Sequence, residues 1–344
     1  MLSIDLLRFG ASFAVILWHF QSFYNTDVSK LPGYIYFRLF YSHGGQSVLL
    51  FWSISGFILA KIYIGRETTI KKFLTSRFAR LYPLSFITLI IVCILQIISY
   101  YSQVEIPMMQ NNDLKHFLLN IFFIPHIGFQ DGFSYNVPIW SVTVEIFSYL
   151  LFILLVRRLN IFSISFVICL FLLFFIKAQV FIQPEISQCV IYFFCGVLTY
   201  KIYSHTGRYL LIPSLFFLFI NFWQNNLNFG FIQRYTVTGI ASISLMQGIL
   251  LLFLSAENYL RKMPRNIRNI IKTFGNLTYS SYLIHFPIQV VVLLVAKTQY
   301  LSPSLIFLVA YLLFVYSLSW VVYKFYELPM RNWINVRFNN TIRF

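Results

Sequence analysis

The sequence predicts an all-α, polytopic membrane helical bundle of about ten transmembrane helices, N-in and C-in. Three observations carry this expectation. Of the 344 residues, 59% are hydrophobic and only 10% charged, where a soluble domain carries about 25% charged residues. Mean hydropathy is +0.74, and apolar runs of about 18 residues or more recur along the whole length. Lysine and arginine also fall unevenly on the two sides once the runs are threaded through a bilayer.

The expected spans have cores near 6–23, 47–64, 81–100, 139–156, 161–180, 186–200, 209–223, 236–255, 277–296 and 303–323. The first is too long, and too poorly followed by a small-residue cleavage site, for a removable signal peptide. The second, HGGQSVLLFWSISGFILA, opens on Gly44 and Gly45 and carries Ser55 and Gly56 at its middle. Small residues there let backbones approach closely or leave room for a ligand. Pro83 is expected in the first turn of the third span, where a missing N–H costs little. The seventh span, about 15 residues long, is at the low edge of what crosses a bilayer. The longest polar stretch, 101–138, should lie outside, with DLKHFLLNIFFIPHIGF as a short helix against the outer face. The basic, periodic ENYLRKMPRNIRNIIK should rest on the inner leaflet.

With the N-terminus in the cytoplasm, the inward connections are 65–80, 157–160, 201–208 and 256–272, plus the tail after 324. Together with Arg8 and Lys61 at inner helix ends, they hold 20 of the 26 lysines and arginines; the outer side keeps 6. This bias sets orientation, and it accounts for the net charge of +16 without nucleic acid. No internal repeat or appended soluble domain is evident, so residues 1–335 read as one integral membrane domain and 336–344 as a short cytoplasmic tail. The four cysteines (Cys93, Cys169, Cys189, Cys195) sit in apolar runs and read as buried, inert thiols, with no metal site.

Function must then be built into the bundle. An ionisable side chain in the hydrocarbon layer costs roughly 3 kcal/mol on insertion scales, yet the first span keeps Arg8 and His19. They are three helical turns apart, on one face and about 16 Å from each other. His19 is either a neutral histidine satisfied by a neighbouring helix or a general base placed towards the outer half of the membrane. Arg77 and Arg80 share a helix face just inside the cytoplasmic boundary, as positive-inside anchors or as a pair of forks for phosphate oxygens. Glu145, about two turns inside the fourth span, needs a proton or a partner; it pairs for structure or orients a catalytic base. Ser281 and His285 share a face of the ninth span, and Glu327 closes the last span as a boundary anchor paired with an inner-face arginine.

The order of these segments resembles the acyltransferase-3 family of integral membrane acyltransferases, which O-acylate carbohydrates and related acceptors. The elements are Arg8, ten residues, then His19; the glycine-led span ending FWSISGFIL; the run Arg77-Phe78-Ala79-Arg80-Leu81-Tyr82-Pro83; WSVTVE at Trp140–Glu145; GNLTYSSYLIHFP; and the closing YELP. They run from Asp5 to about Arg331. The resemblance implies an acyl-CoA donor, acetyl-CoA first among them, bound from the cytoplasm. The acyl group would end on a hydroxyl of an extracytoplasmic carbohydrate or cell-envelope polysaccharide. His19 would be the catalytic histidine, Arg8 its motif partner and Glu145 a further catalytic-site residue. Arg77, Arg80 and Tyr82 would hold the donor nucleotide. The chain resembles the stand-alone form, without an extracytoplasmic hydrolase-like domain, in a bacterial plasma (inner) membrane. Direct attack of the hydroxyl and a covalent acyl-histidine intermediate both remain open. The rival reading is a proton-coupled transporter or flippase of a lipid-linked sugar, relaying protons through His19, Glu145 and His285. Such transporters often show internal repeats and paired broken helices, and neither is found here.

Overall fold

A computed structural model describes residues 1–104, 111–124, 129–130, 132–156, 159–177, 184–206, 210–225, 231–297 and 300–339. Its helices are α1 (Leu2–Phe20), α2 (Tyr34–His43), α3 (Ser47–Tyr63), α4 (Ile70–Ser102), α5 (Leu114–Ile121), α6 (Ile139–Leu155) and α7 (Ile161–Lys177). They continue as α8 (Pro184–Thr206), α9 (Leu211–Asn225), α10 (Phe231–Ser255), α11 (Glu257–Arg261), α12 (Arg265–Ala296), α13 (Leu305–Val322) and α14 (Leu328–Asn339). No strand occurs among the described residues. Seven helical segments there are long and apolar enough to cross a membrane; α6 and α7 are shorter apolar helices. The protein is an all-α, multi-pass membrane bundle.

Three local expectations need correction. Pro83 is not in a first turn: α4 starts at Ile70, behind Thr69, whose side chain accepts from the Lys72 N–H at 3.2 Å. The helix is 33 residues long and carries the proline in its interior. The basic stretch 256–272 is likewise not one segment: it holds α11 and the first turns of α12, which runs unbroken for 32 residues from Arg265. In both cases a cationic, amphipathic start extends an apolar span, and helix propagation costs less than a new nucleus. Helix α2 was not anticipated; it follows Gly33, whose φ of 66° favours glycine. In the stretch 101–138, the expected short helix forms as α5, capped by Asp113. Its carboxylate accepts from the His116 N–H at 2.8 Å and bonds the His116 ring at 2.7 Å, which hold it below the usual carboxylate range.

The helices fall into two compact units. The first comprises Met1–Ala11, Val48–Glu67 and Glu145–Gly275. Here α3 crosses α8 with both glycines of the contact essential. A Cβ on Gly56 would lie 1.9 Å from the Phe193 carbonyl oxygen, and one on Gly196 would lie 1.9 Å from that of Ser53. Beside the crossing, Gln247 of α10 donates to the Ser53 hydroxyl at 3.0 Å and accepts from Thr199 at 2.7 Å. Polar groups in lipid need partners of this kind. Glu257 closes the start of α1, accepting from the Ser3 N–H at 2.9 Å, the Ser3 hydroxyl at 2.7 Å and Arg261 at 2.8 Å. A carboxylate there complements the positive end of the helix dipole.

The second unit comprises Ser12–Ser47, Thr68–Val144 and Asn276–Phe344. Phe20, Phe23, Phe307 and Tyr311 form an aromatic cluster in it, with ring centroids 5.2–6.2 Å apart. Helix α14 packs on α4. Between α13 and α14 lies one π-helical turn, Tyr323–Glu327. From it Tyr326 donates to the Pro83 carbonyl at 3.0 Å, and the buried Glu327 accepts from Ser280. Glu327 is thus anchored inside the unit on α12, where the sequence suggested a boundary anchor. The four cysteines are free; Cys189 and Cys195 are buried, while Cys169 is exposed on the apolar α7, against expectation.

Candidate active site

The site is assembled where the end of α1 meets α12, within the second unit. The last carbonyls of any helix lack intrahelical partners, and here side chains supply them. The His19 carbonyl accepts from Ser22 at 2.5 Å and from Gln289 Nε2 at 3.0 Å, and Gln289 Nε2 also donates to the Ser22 hydroxyl at 2.5 Å. Gln289 is fully buried, and its Oε1 has no hydrogen-bond partner among the described residues. On α12, Pro287 lacks the N–H that would have reached the carbonyl four residues back. Asn136 Nδ2 donates to that Leu283 carbonyl instead, at 3.2 Å. The adjoining polar contacts, Ser12 with Ser281 at 2.8 Å and Ser141 with Tyr282 at 2.7 Å, are similarly internal.

Two imidazoles meet in this frame. His19 Nδ1 lies 3.0 Å from His285 Nε2, with ring centroids 4.9 Å apart and planes inclined by 30°. His285 is fully buried, its Nδ1 3.2 Å from the Ser281 carbonyl; Tyr311 donates to the His285 carbonyl at 3.1 Å. His19 is half-buried, with the exposed Trp18 ring edge-on at 4.7 Å. The glycines at 44 and 45 shape this end of α1. A Cβ on Gly44 would fall 2.2 Å from the Ala14 carbonyl oxygen, and one on Gly45 would be 3.2 Å from the Trp18 ring.

Two of the other expected site residues belong to the first unit. Arg8 shares the unbroken α1 with His19 but belongs to the first unit. Glu145 is also in the first unit, buried, with Cys189 in its electrostatic range. The partner of the His19 ring is therefore His285, a pairing that no spacing rule reveals because 266 residues separate them. Arg77 and Arg80 are half-buried on α4, and Arg77 reaches the Ser76 hydroxyl at 3.4 Å. The sequence reading missed Arg331 on α14, which feels the charge of both Arg80 and Arg77 as well as that of Glu327. No ion pair among the described residues engages these three guanidiniums. Tyr82 stands in a ladder between Phe78, 4.5 Å away, and Phe86, 5.9 Å away, on a different face of α4 from Arg80. Of the inner-side cations counted from sequence, Arg157, Arg158, Arg208 and Arg343 lie outside the described residues.

A family model described as an acyltransferase domain matches residues 1–324. No curated protein and no solved structure matches the chain. Matched over nearly all of its length, the chain belongs to the acyltransferase-3 family and is a membrane acyltransferase.

Proposed function

We propose that the protein moves an acyl group, acetyl first among candidates, from cytoplasmic acyl-CoA to a hydroxyl of an extracytoplasmic carbohydrate, with His19 as general base. In this reading Nε2 of His19 takes the proton of the acceptor hydroxyl as its oxygen attacks the thioester carbonyl carbon. The carbon–sulfur bond then breaks, and the imidazolium returns the proton to the departing thiolate, giving ester and free CoA. Arg77, Arg80 and Arg331 hold the nucleotide phosphates, because clustered guanidiniums favour a multiply charged anion between them. Arg8 supports the inner part of the same helix. Glu145 is kept as a further catalytic-site residue and Tyr82 as a residue for the donor nucleotide, as the family resemblance implies. The acceptor is assigned a hydroxyl-rich chemistry because Gln289 Oε1, buried one turn from His285, is an acceptor in need of a donor.

The observation that carries the reading is the fixed imidazole of His19 on an apolar span of an acyltransferase-family chain. His285 and Gln289 hold both its ring and its carbonyl, so the imidazole has one fixed orientation. The test uses purified protein in nanodiscs, with acetyl-CoA as donor, a panel of oligosaccharides as acceptors, and free CoA thiol as readout. Wild type should release CoA in an acceptor-dependent manner, and His19→Ala should lose about 100-fold or more of the rate while eluting as folded protein. A variant keeping more than about a tenth of the rate overturns the general base. Acylated protein formed from acetyl-CoA alone would replace direct attack by an acyl-histidine route. Transport without CoA release would restore the flippase reading.

A further inference from the structure

We infer that His285 is a positioning residue that fixes the tautomer of His19, leaving Nε2 of His19 as the one bare, basic nitrogen of the pair; this rests on the reading of His19 as general base. The argument starts at a carbonyl. The Ser281 oxygen only accepts, and His285 Nδ1 lies 3.2 Å from it, so Nδ1 carries the hydrogen. A neutral imidazole holds a single N–H, which leaves Nε2 of His285 as a lone pair. That lone pair faces His19 Nδ1 at 3.0 Å, so Nδ1 of His19 donates. Nε2 of His19 is then the nitrogen without a hydrogen.

Reversing both tautomers would keep a hydrogen bond between the rings but set the bare Nδ1 of His285 against the Ser281 carbonyl, and reversing His19 alone would set two ring lone pairs against each other; either leaves a buried hydrogen bond unmade in an apolar setting. The direction of the chain is therefore set by an α12 backbone carbonyl, transmitted through His285. It also suits the chemistry. When the hydroxyl proton arrives at Nε2, the positive charge spreads over the His19 ring and turns the Nδ1–H···Nε2 contact with His285 into a charge-assisted hydrogen bond. His285 touches neither the donor nor the hydroxyl; it orients and steadies the base, as the third group of a catalytic triad does. Gln289, one turn further along α12, clamps the His19 carbonyl and keeps the ring over its partner.

The test has a spectroscopic arm and a kinetic arm. Solid-state nitrogen NMR on the full chain in lipid, labelled at its six histidines, assigns the two signals by comparison with His19→Ala and His285→Gln. The expected spectrum shows His19 protonated at Nδ1 and bare at Nε2 near neutral pH. A proton on Nε2 with Nδ1 bare overturns the inference even if His285 variants fail to fold. In the kinetic arm, His285→Leu keeps the volume but offers no acceptor. It should lower kcat roughly 10- to 100-fold with KM for acetyl-CoA unchanged. His285→Gln restores an amide oxygen for the His19 N–H and an amide N–H for the Ser281 carbonyl, so it should recover most of that loss. A fully active His285→Leu, or a glutamine variant no better than leucine, overturns the inference. If His19→Ala itself stays active, it is the general-base reading that falls.

Discussion

His19 and His285 are both ionisable side chains inside apolar helices, and hydrogen bonds from the ring of each fix its orientation. The same residue-scale logic applies to the arginines. Arg80 is assigned a fork on phosphate, so Arg80→Lys retains the charge and loses the second hydrogen bond. The loss of one charge-assisted hydrogen bond, about 1.4 kcal/mol, corresponds to roughly a tenfold rise in KM for acyl-CoA. Initial-rate kinetics at saturating acceptor check this, and a shift confined to the acceptor KM would place the donor elsewhere. The individual residues His19, Arg77, Arg80, Glu145 and His285 were legible in the sequence because a polar group in an apolar run is conspicuous. Their pairing was not. His285 was read as an independent group, Glu145 as a candidate orienter, and Arg331 was passed over as a tail cation, since long-range contacts leave no mark on local periodicity.

At the scale of elements, each span expected from an apolar run coincides over its described residues with a helix, because a run of that length has no alternative backbone partner in lipid. What periodicity did not fix was where helices begin. Thr69 and Arg265 start α4 and α12 well before the apolar cores, and neither Pro83 nor Pro287 ends its helix. A helix interior tolerates proline when other groups take over the freed carbonyl, as Asn136 does for Leu283. At the α3–α8 crossing Gly56 was recognised as small, with both packing and ligand room to explain it, while Gly196 was not singled out. The 1.9 Å approach at Gly56 decides for packing. Gly56→Leu should therefore force α3 and α8 apart, destabilising by about 1–3 kcal/mol or more. Fluorescence-detected thermal unfolding in detergent should show a lower Tm than wild type. An unchanged Tm would mean that the crossing is not as close as described.

For the whole molecule, orientation governs the chemistry, because a donor site and a base on the same side of the membrane would need no conduit. The orientation proposed rests on the charge bias of the sequence, 20 lysines and arginines on the expected inner side against 6 on the outer. With the native cysteines replaced, a cysteine at the exposed Asn266 should be shielded from an impermeant thiol reagent in intact cells, and one at the exposed Ser302 should react. Labelling at Asn266 from outside would move Arg77, Arg80 and the proposed donor site to the wrong face.

The central claim, that an acyl group crosses from a cytoplasmic donor to an outer hydroxyl with His19 as base, is tested most directly in sealed vesicles. Radiolabelled acetyl-CoA does not cross the bilayer, so the side on which it is supplied is under control. Inside-out vesicles carrying the wild-type protein should transfer label to the carbohydrate enclosed in their lumen, right-side-out vesicles should not, and His19→Ala should abolish transfer in both. Equal labelling by the two vesicle types, or undiminished labelling by His19→Ala, would contradict the account.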